Sequence, residues 1–300
     1  MEHIGYRQNT IIVGLILLSL MSIGFTQLTF ADEKHEVAVT ILPQAEFAEQ
    51  ITAGLDFEIL VLIPPGASPA TYELAPRQMK ILSRIPLYFK LGSGLPFEDV
   101  WLGKISDLNE SMVIINCSKG IEILSGAHSH HDDQHSTHHM QDPHIWCSPL
   151  NAMIIIDNMV DGFVKAYPEY DTLFLKNAHS YKQQLENLNQ EISKLFEKKN
   201  SRKFIVFHPA WGYFANEYRL TQIPIEIEGK EPRASSLRVL IETARSEEIN
   251  IVFASPQFNS ESARMIASEI NGEVEFIDSL GKDYINNMRE IAIKLAKAMQ

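Results

Sequence analysis

Short apolar runs alternate with helix-like segments along most of the chain, and Gly and Pro residues separate them. The apolar runs predict strands at residues 37–41, 57–63, 87–91, 112–116, 204–207, 223–227, 251–253 and 274–277. The intervening segments predict helices at residues 45–52, 77–83, 99–107, 149–167, 172–199, 212–218, 236–247, 260–269 and 283–298. This alternation is typical of parallel βα units, so the pattern predicts an α/β protein.

One helical segment, at residues 172–199, is much longer than the others and divides the pattern into two halves. Its apolar residues alternate spacings of four and three, which places them in one stripe along the helix. The stripe consists of Phe174, Ala178, Tyr181, Leu185, Leu188, Ile192 and Leu195. Such a seam also suits a coiled-coil dimer arm, but no loop leads to a partner helix. We therefore predict two lobes of parallel βα units joined by one long rigid helix, about 40 Å in length.

The N-terminal segment has the order of a secretory signal. Arg7 precedes an apolar run at residues 11–20, and Ala31 ends the segment before the charged residues 32–34. A basic end, an apolar run and a small residue at the cleavage site mark such a signal. The run is short for a membrane span, although an uncleaved anchor remains an alternative. No cysteine lies near the junction to carry a lipid.

These patterns divide the chain into four parts. We predict a signal peptide at 1–31, an N-terminal α/β lobe at 32–171, a linking helix at 172–199 and a C-terminal α/β lobe at 200–300. A His-rich loop at 127–141 belongs to the N-terminal lobe. The signal implies a periplasmic or other extracytoplasmic location.

Charge and cysteine content narrow the possible partners. The formal net charge of −12 argues against nucleic acid or an anionic membrane surface. The two cysteines, Cys117 and Cys147, lie in the part predicted to be exported, where an oxidising compartment allows a disulfide. Two small buried thiols are the alternative. Their spacing is not the Cys-x-x-Cys of a thiolate metal site.

A histidine-rich tract points to metal binding, because seven of the eleven histidines lie between Gly126 and Pro149. Its first part, at residues 128–139, is irregular and interleaved with polar residues, which predicts a loop that binds metal weakly. A solvated insertion without function is the alternative. Its end, at residues 142–146, is apolar and sharply punctuated, as in a fixed site.

Three residues occupy positions suited to a metal site. In open parallel sheets, ligands bind outside the carboxyl ends of the strands. His208 and Asp278 directly follow predicted strands of the second lobe, and His144 closes the loop of the first lobe. Each has a simpler interpretation, since a histidine after a strand is often part of the hydrogen-bonded structure and Asp278 could cap a helix. Together, two imidazoles and a carboxylate predict a site for zinc or manganese.

The segments around these residues resemble one family. DPHIWCSP at 142–149 and FHPAWGYFA at 207–215 resemble the second- and third-histidine motifs of the metal-binding solute receptors of zinc and manganese ABC importers. The third-histidine motif, FHPAWGYFA, resembles that of the zinc branch, because the manganese branch usually has Glu in place of this histidine. Further similarity to zinc members lies at residues 223–231, 255–257 and 276–280, and in the acidic His-rich loop. The resemblance spans nearly the whole mature chain.

The resemblance implies a function as well as a fold. A receptor of this kind holds its ion in the cleft between two α/β lobes bridged by a rigid helix. His144, His208 and Asp278 would bind the ion, with zinc favoured and manganese possible as the carried metal. The implied partner is an ABC permease in the membrane, the receptor is expected to be a monomer, and release is expected from local loop movement rather than wide hinge opening.

One motif departs from the family pattern. The first-lobe motif normally carries a histidine after Gly-Ala-Ser-Pro, but residues 66–73 read GASPATYE and place Ala70 there. Alanine cannot bind a metal, so three ligands and a water are one solution. Glu46, expected on the loop after the first strand, Glu73 or a histidine of the His-rich loop are the alternative replacements.

Other classes of protein fit less well. A metallohydrolase also uses two histidines and a carboxylate, but we find no His-Glu-x-x-His motif. Gly-x-Ser-x-Gly is also missing, since the segment around Ser93 fails at its last position. We therefore do not expect an enzyme. An exported metal buffer or a metal-dependent adhesin is the second alternative.

Overall fold

The computed structural model describes residues 34–126, 141–226, 234–258 and 260–299. The predicted signal peptide and all but the last residue of the predicted His-rich loop lie outside the described residues. None of the helices in the described ranges has the length and apolar character that a membrane span requires.

The described chain forms two four-stranded parallel sheets. The first contains β1 (His35–Val39), β2 (Phe57–Val61), β3 (Leu87–Lys90) and β4 (Val113–Asn116), in the order β2-β1-β3-β4. Its connecting helices are α1 (Leu42–Ile51), α2 (Pro76–Leu82) and α3 (Pro96–Leu108). Two further helices follow, α4 (Pro149–Ala166) and α5 (Asp171–Glu197).

The second sheet repeats this topology. It contains β5 (Lys203–Val206), β6 (Thr221–Pro224), β7 (Ile251–Ala254) and β8 (Glu273–Phe276), in the order β6-β5-β7-β8. Its connecting helices are α6 (Gly212–Glu217), α7 (Ala234–Ser246) and α8 (Glu261–Glu269), and α9 (Tyr284–Ala298) ends the chain. Both sheets are parallel throughout, which confirms the predicted α/β class with two lobes.

The strands are apolar because helices cover the parallel sheets. Val37, Ala38 and Val39 of β1 are fully buried, and so are Phe253 of β7 and Val206 of β5. Polar side chains therefore gather where the strands end. This places the chemistry of both lobes at the carboxyl edges of the sheets.

The predicted long helix is confirmed as α5. Its apolar stripe is covered by helices of the same chain, because α5 packs against α1, α4 and α9. The prediction of Leu195 as the last stripe residue is wrong, because Leu195 is 37% exposed and Phe196 is buried. A step of four from Ile192 follows the 3.6-residue period better than a step of three. Because α5 contacts helices of both lobes, the structure does not support a coiled-coil dimer arm.

Both cysteines are free thiols in the core, so the disulfide alternative is wrong for this structure. Cys117 and Cys147 are fully buried. Burial raises the pKa of the Cys147 thiol well above its usual value, which leaves it protonated and inert. The two residues therefore act as small apolar side chains.

Candidate metal centre

The first two predicted ligands lie at element ends, as the sequence indicates. His208 follows the end of β5 by two residues, and Asp142-Pro143-His144 leads into a 3₁₀ turn at Ile145–Cys147. Ser148 then caps α4, because its Oγ accepts a hydrogen bond from the N–H of Asn151 at 3.2 Å. The helix start thus fixes the direction in which the chain leaves His144.

The imidazoles of His144 and His208 meet across the two lobes. Their Nε2 atoms lie 3.2 Å apart, and the ring planes cross at 80°. Two nitrogens bound to one zinc ion at about 2.0–2.1 Å with a tetrahedral angle lie roughly 3.3–3.4 Å apart. The separation of the two rings therefore fits a shared zinc ion.

A carboxylate holds the far side of each ring. The Nδ1 of His144 is 2.7 Å from Asp142 Oδ1, and the Nδ1 of His208 is 3.2 Å from Glu226 Oε2. An ionised carboxylate only accepts hydrogen bonds, so each Nδ1 carries the proton and each Nε2 presents a lone pair. Two lone pairs that face each other form a suitable site for a cation between them. Carboxylates on the outer nitrogens are the usual support of metal-binding histidines.

Burial keeps the His208 ring neutral. The ring stacks on Phe258 with centroids 4.3 Å apart, and its side chain is 19% exposed. This burial lowers the pKa of His208, while the hydrogen bond with Glu226 opposes that shift. A neutral imidazole is the form that binds metal.

The loop that carries His144 is tied down on both sides. Ser93 Oγ donates a hydrogen bond to the carbonyl oxygen of Pro143 at 2.6 Å, and Tyr213 Oη donates to the carbonyl of Asp142 at 3.0 Å. The same Tyr213 oxygen accepts from the N–H of Leu124, and Asp142 N donates to Leu124 O. Because Tyr213 belongs to the second lobe, it joins this loop to the lobe that carries His208.

Asp278 follows β8 by two residues at the same sheet edge as His208. Its Oδ1 accepts hydrogen bonds from Gln257 Nε2 at 2.6 Å and from the N–H of Leu280 at 2.9 Å. The next residue, Ser279, accepts a hydrogen bond through its carbonyl from Trp146 Nε1 at 2.7 Å. This bond ties the Asp278 segment to Trp146, which lies two residues after His144 in the first lobe.

The geometry brings together two of the three predicted ligands. Within the part of the chain that the structure describes, no group of three or more His, Cys, Asp or Glu side chains is placed to hold one metal ion. The participation of Asp278 therefore stays a prediction, whereas the meeting of His144 and His208 is a feature of the structure.

The residues considered as replacements at Ala70 have different positions. Ala70 and Glu73 are exposed on the loop between β2 and α2. Glu46 lies inside α1 rather than on a loop, and its carboxylate accepts hydrogen bonds from Tyr181 and Tyr284. The prediction of Glu46 as a loop residue available to metal is therefore wrong. The loop histidines fall outside the described residues.

Three supporting residues were missed by sequence reasoning. Glu226 follows β6 by two residues, but it lies inside the strand predicted at 223–227, so the strand-end rule that found His208 could not find it. Asp142 could have been found from its spacing of two from His144, which suits a side chain that accepts from a nearby N–H, as it does here at 3.0 Å. Ser93 supports the His144 loop, a role that no motif around Ser93 indicates.

Comparison with known proteins gives a consistent result. The family model described as zinc-uptake complex component A, periplasmic (ZnuA), matches residues 37–298. The high-affinity zinc uptake system protein ZnuA of Bacillus subtilis is 28% identical over 259 residues, which cover 83% of this chain and 79% of that protein. A zinc-binding protein AdcA of Streptococcus pyogenes is 26% identical, and the alignment covers 92% of this chain but 59% of that relative.

Solved structures show the same similarity. A crystal structure of ZnuA is 36% identical, with a TM-score of 0.83, and the match covers 89% of this chain and 100% of that one. A ZnuA deletion variant with zinc bound is also 36% identical, with a TM-score of 0.82 over 89% of this chain and 98% of that one. A manganese-bound periplasmic protein of Candidatus Liberibacter asiaticus, at 20% identity and a TM-score of 0.76, shares the fold over 89% of this chain and 100% of its own.

Proposed function

The chain belongs to the family of periplasmic zinc-uptake components, and we propose that it captures a divalent transition metal between its two lobes and delivers it to an ABC importer. Zinc is the favoured ion, and manganese is the second candidate. The observation that carries the proposal is the convergence of the His144 and His208 Nε2 atoms at 3.2 Å, each with a carboxylate behind the ring.

In this proposal His144, His208 and Asp278 bind the ion as cargo. Zinc accepts three protein ligands and a water, so Ala70 need not contribute a ligand. The carboxylates of Asp142 and Glu226 hold the rings in the binding tautomer and add negative charge close to the dication. Capture and release are the whole of the proposed activity, and no chemical step is assigned.

Release would come from local movement of the ligand loops. The helix α5 packs on elements of both lobes, and Tyr213 joins the His144 loop to the second lobe. These contacts oppose a wide opening between the lobes. A local rearrangement of a ligand loop, in contact with a membrane permease, would separate the two imidazoles without such an opening.

The site of action in this proposal is outside the cytoplasmic membrane. The basic, apolar and small-residue order of segment 1–31 would direct export, with cleavage or retention as an anchor. The receptor would act as a monomer that docks on its permease. The streptococcal relatives that this chain matches are longer, so activities of their remaining parts are not carried over.

Calorimetric titration of the full chain with Zn²⁺ tests the proposal. We expect one tight site per chain, and we expect His144→Ala, His208→Ala and Asp278→Ala each to weaken it by at least about a hundredfold. His179→Ala is the matched control, because His179 is an exposed histidine on α5. Equal affinity of the His208 and His179 variants would refute the site.

The same titration separates a receptor from a metal buffer. A chain that lacks residues 128–139 should keep the tight site and lose only weak binding. If this deletion removed the tight site, the histidine-rich segment would be the main binding region and the interlobe site would be wrong.

A further inference from the structure

The four strands of the second sheet each deliver one polar side chain to the same edge. In the order of the sheet, β6 leads to Glu226, β5 to His208, β7 to Gln257 and β8 to Asp278. The proposed function assigns a role to three of these residues. Gln257, in the segment Ser255-Pro256-Gln257, has none so far.

Gln257 has one hydrogen-bonding partner in the described structure, and that partner is Asp278. Its Nε2 donates to Asp278 Oδ1 at 2.6 Å, while its Oε1 is buried and without a partner among the described residues. The opposite orientation of the amide would set its oxygen against an ionised carboxylate, which only accepts. The amide therefore serves the carboxylate and no other described group.

The two carboxylate oxygens of Asp278 differ in the hydrogen bonds that they accept. Oδ1 accepts from Gln257 and also from the N–H of Leu280 at 2.9 Å. Oδ2 has no hydrogen-bonding partner among the described residues. The backbone of Asp278 is fixed as well, because Asn287 Nδ2 donates to its carbonyl oxygen at 2.7 Å. One oxygen is thus saturated within the protein, and one is left for a ligand.

We infer that Gln257 is a specificity-determining residue that makes Asp278 a one-oxygen ligand and so favours zinc over manganese. This inference rests on the proposed function. With Oδ1 occupied, the carboxylate cannot close on an ion through both oxygens. Two imidazole nitrogens, one carboxylate oxygen and one water then give the four-coordinate site that zinc prefers. Manganese takes more oxygen ligands in an octahedral arrangement, which this site does not supply.

The loop after β7, which carries Gln257, also contacts the predicted ligand His208. Phe258, next to Gln257, stacks on the His208 ring at 4.3 Å with an angle of 26° between the planes. The loop after β7 therefore positions His208 by packing and Asp278 by a hydrogen bond. A change confined to Gln257 should alter the carboxylate and leave the imidazole in place.

The test compares Zn²⁺ and Mn²⁺ affinities of the full chain and of Gln257→Met, which removes the N–H donor at similar volume. We expect the ratio of zinc to manganese affinity to fall about tenfold, as for the loss of an outer-shell partner. Bound Co²⁺ gives a second readout, because its visible d–d absorption weakens when a fifth ligand atom binds. Gln190→Met on the exposed side of α5 is the matched control.

A double-mutant cycle with Asp278→Ala decides whether Gln257 acts through the carboxylate. In that background Gln257→Met should leave the metal preference unchanged. Urea unfolding checks that the Gln257→Met variant is folded. If the methionine disturbs the packing, Gln257→Ala replaces it in both experiments. An unaltered zinc-to-manganese ratio and Co²⁺ spectrum in a folded variant overturn this inference alone. A wild-type chain that binds no zinc overturns the proposed function, and this inference with it.

Discussion

The carboxylate of Glu46 accepts a hydrogen bond from the backbone N–H of Tyr284 at 2.6 Å, although 238 positions separate the two residues. Its other oxygen accepts from Tyr181 Oη at 2.7 Å. Glu46 lies on α1 of the first lobe, Tyr181 on α5, and Tyr284 begins α9. A buried acid at the N-terminus of α9 also matches the positive end of the helix dipole. One carboxylate therefore joins both lobes and the linking helix.

Replacement of Glu46 should weaken the whole fold. Glu46→Ala leaves two buried donors without an acceptor, so we expect a loss of about 2–5 kcal/mol in the free energy of unfolding. Urea unfolding at neutral pH measures it. Glu49→Ala is the control, because Glu49 is on the same helix, is exposed and forms a loose 3.8 Å ion pair with Lys282. A similar small effect of both variants would show that Glu46 does not join the lobes.

Glu226 should contribute to zinc binding without touching the ion. Glu226→Gln keeps the size of the side chain and removes the charge behind His208, so we expect zinc affinity to fall about 10- to 100-fold. Competition with a chromogenic chelator gives the affinities. Glu242→Gln, at an exposed position on α7, is the matched control. If both variants bind zinc as the wild type does, the negative charge behind His208 has no part in binding.

Glu217 should make the stability of the fold depend on pH. Burial is the main cause that raises the pKa of Glu217, Glu186 adds to the rise, and the hydrogen bond from Ser148 opposes it. Between the ordinary and the raised pKa the folded state binds more protons than the unfolded state. The free energy of unfolding therefore falls as pH rises through that interval, from about pH 4 upward.

The variant Glu217→Gln lacks this titration. Its free energy of unfolding, relative to the wild type, should rise with pH across the same interval, and urea unfolding at several pH values measures the slope. Glu197 is exposed at the end of α5, and Glu197→Gln is the control. Its free energy of unfolding relative to the wild type should not change with pH. A difference between Glu217→Gln and the wild type that stays constant with pH would contradict the prediction.

The sequence pattern predicted the order and type of the elements in both lobes, because parallel strands under helices are almost uniformly apolar. The ends were less certain. The run at 57–63 gives a strand that ends at Val61, although the N–H groups of Leu62 and Ile63 still donate to β1 and the residue after it. An apolar run shows that residues are buried, and only the backbone geometry shows where the strand ends.

Part of the metal site could be predicted as well, because the apolar pattern places the elements that carry it. His208 and His144 precede or follow elements whose positions the pattern determines, so their placement at the cleft could be predicted. The contact between the two rings could not be predicted. The 3.2 Å distance between their Nε2 atoms depends on how the two lobes pack against each other. Likewise, the engagement of Glu46 by Tyr284 depends on a contact between distant parts of the chain.

Two glycines in helices should respond oppositely to alanine. A Cβ at Gly162 of α4 would lie 2.7 Å from Phe89 and 2.8 Å from Ile115, so Gly162→Ala should destabilise the fold by about 1–3 kcal/mol. At the exposed Gly103 of α3 a Cβ would meet nothing within 4 Å, and Gly103→Ala should stabilise by about 0.5–1 kcal/mol. Thermal and urea unfolding of both variants give the signs. A stable Gly162→Ala protein would mean that α4 can move away from the first sheet.

Restoring a histidine at position 70 should tighten zinc binding. Ala70 is exposed on the loop after β2, and the start of this loop, at Pro64 and Gly66, faces Leu280 across a shallow groove. Leu280 is two residues from Asp278, so the loop approaches the proposed site. A third imidazole would replace the water, and we expect Ala70→His to raise zinc affinity by about tenfold or more. Ala70→Asn is the control for a polar side chain that lacks the ring. Chelator competition measures both, and equal affinities for the two variants would place position 70 outside the reach of the ion.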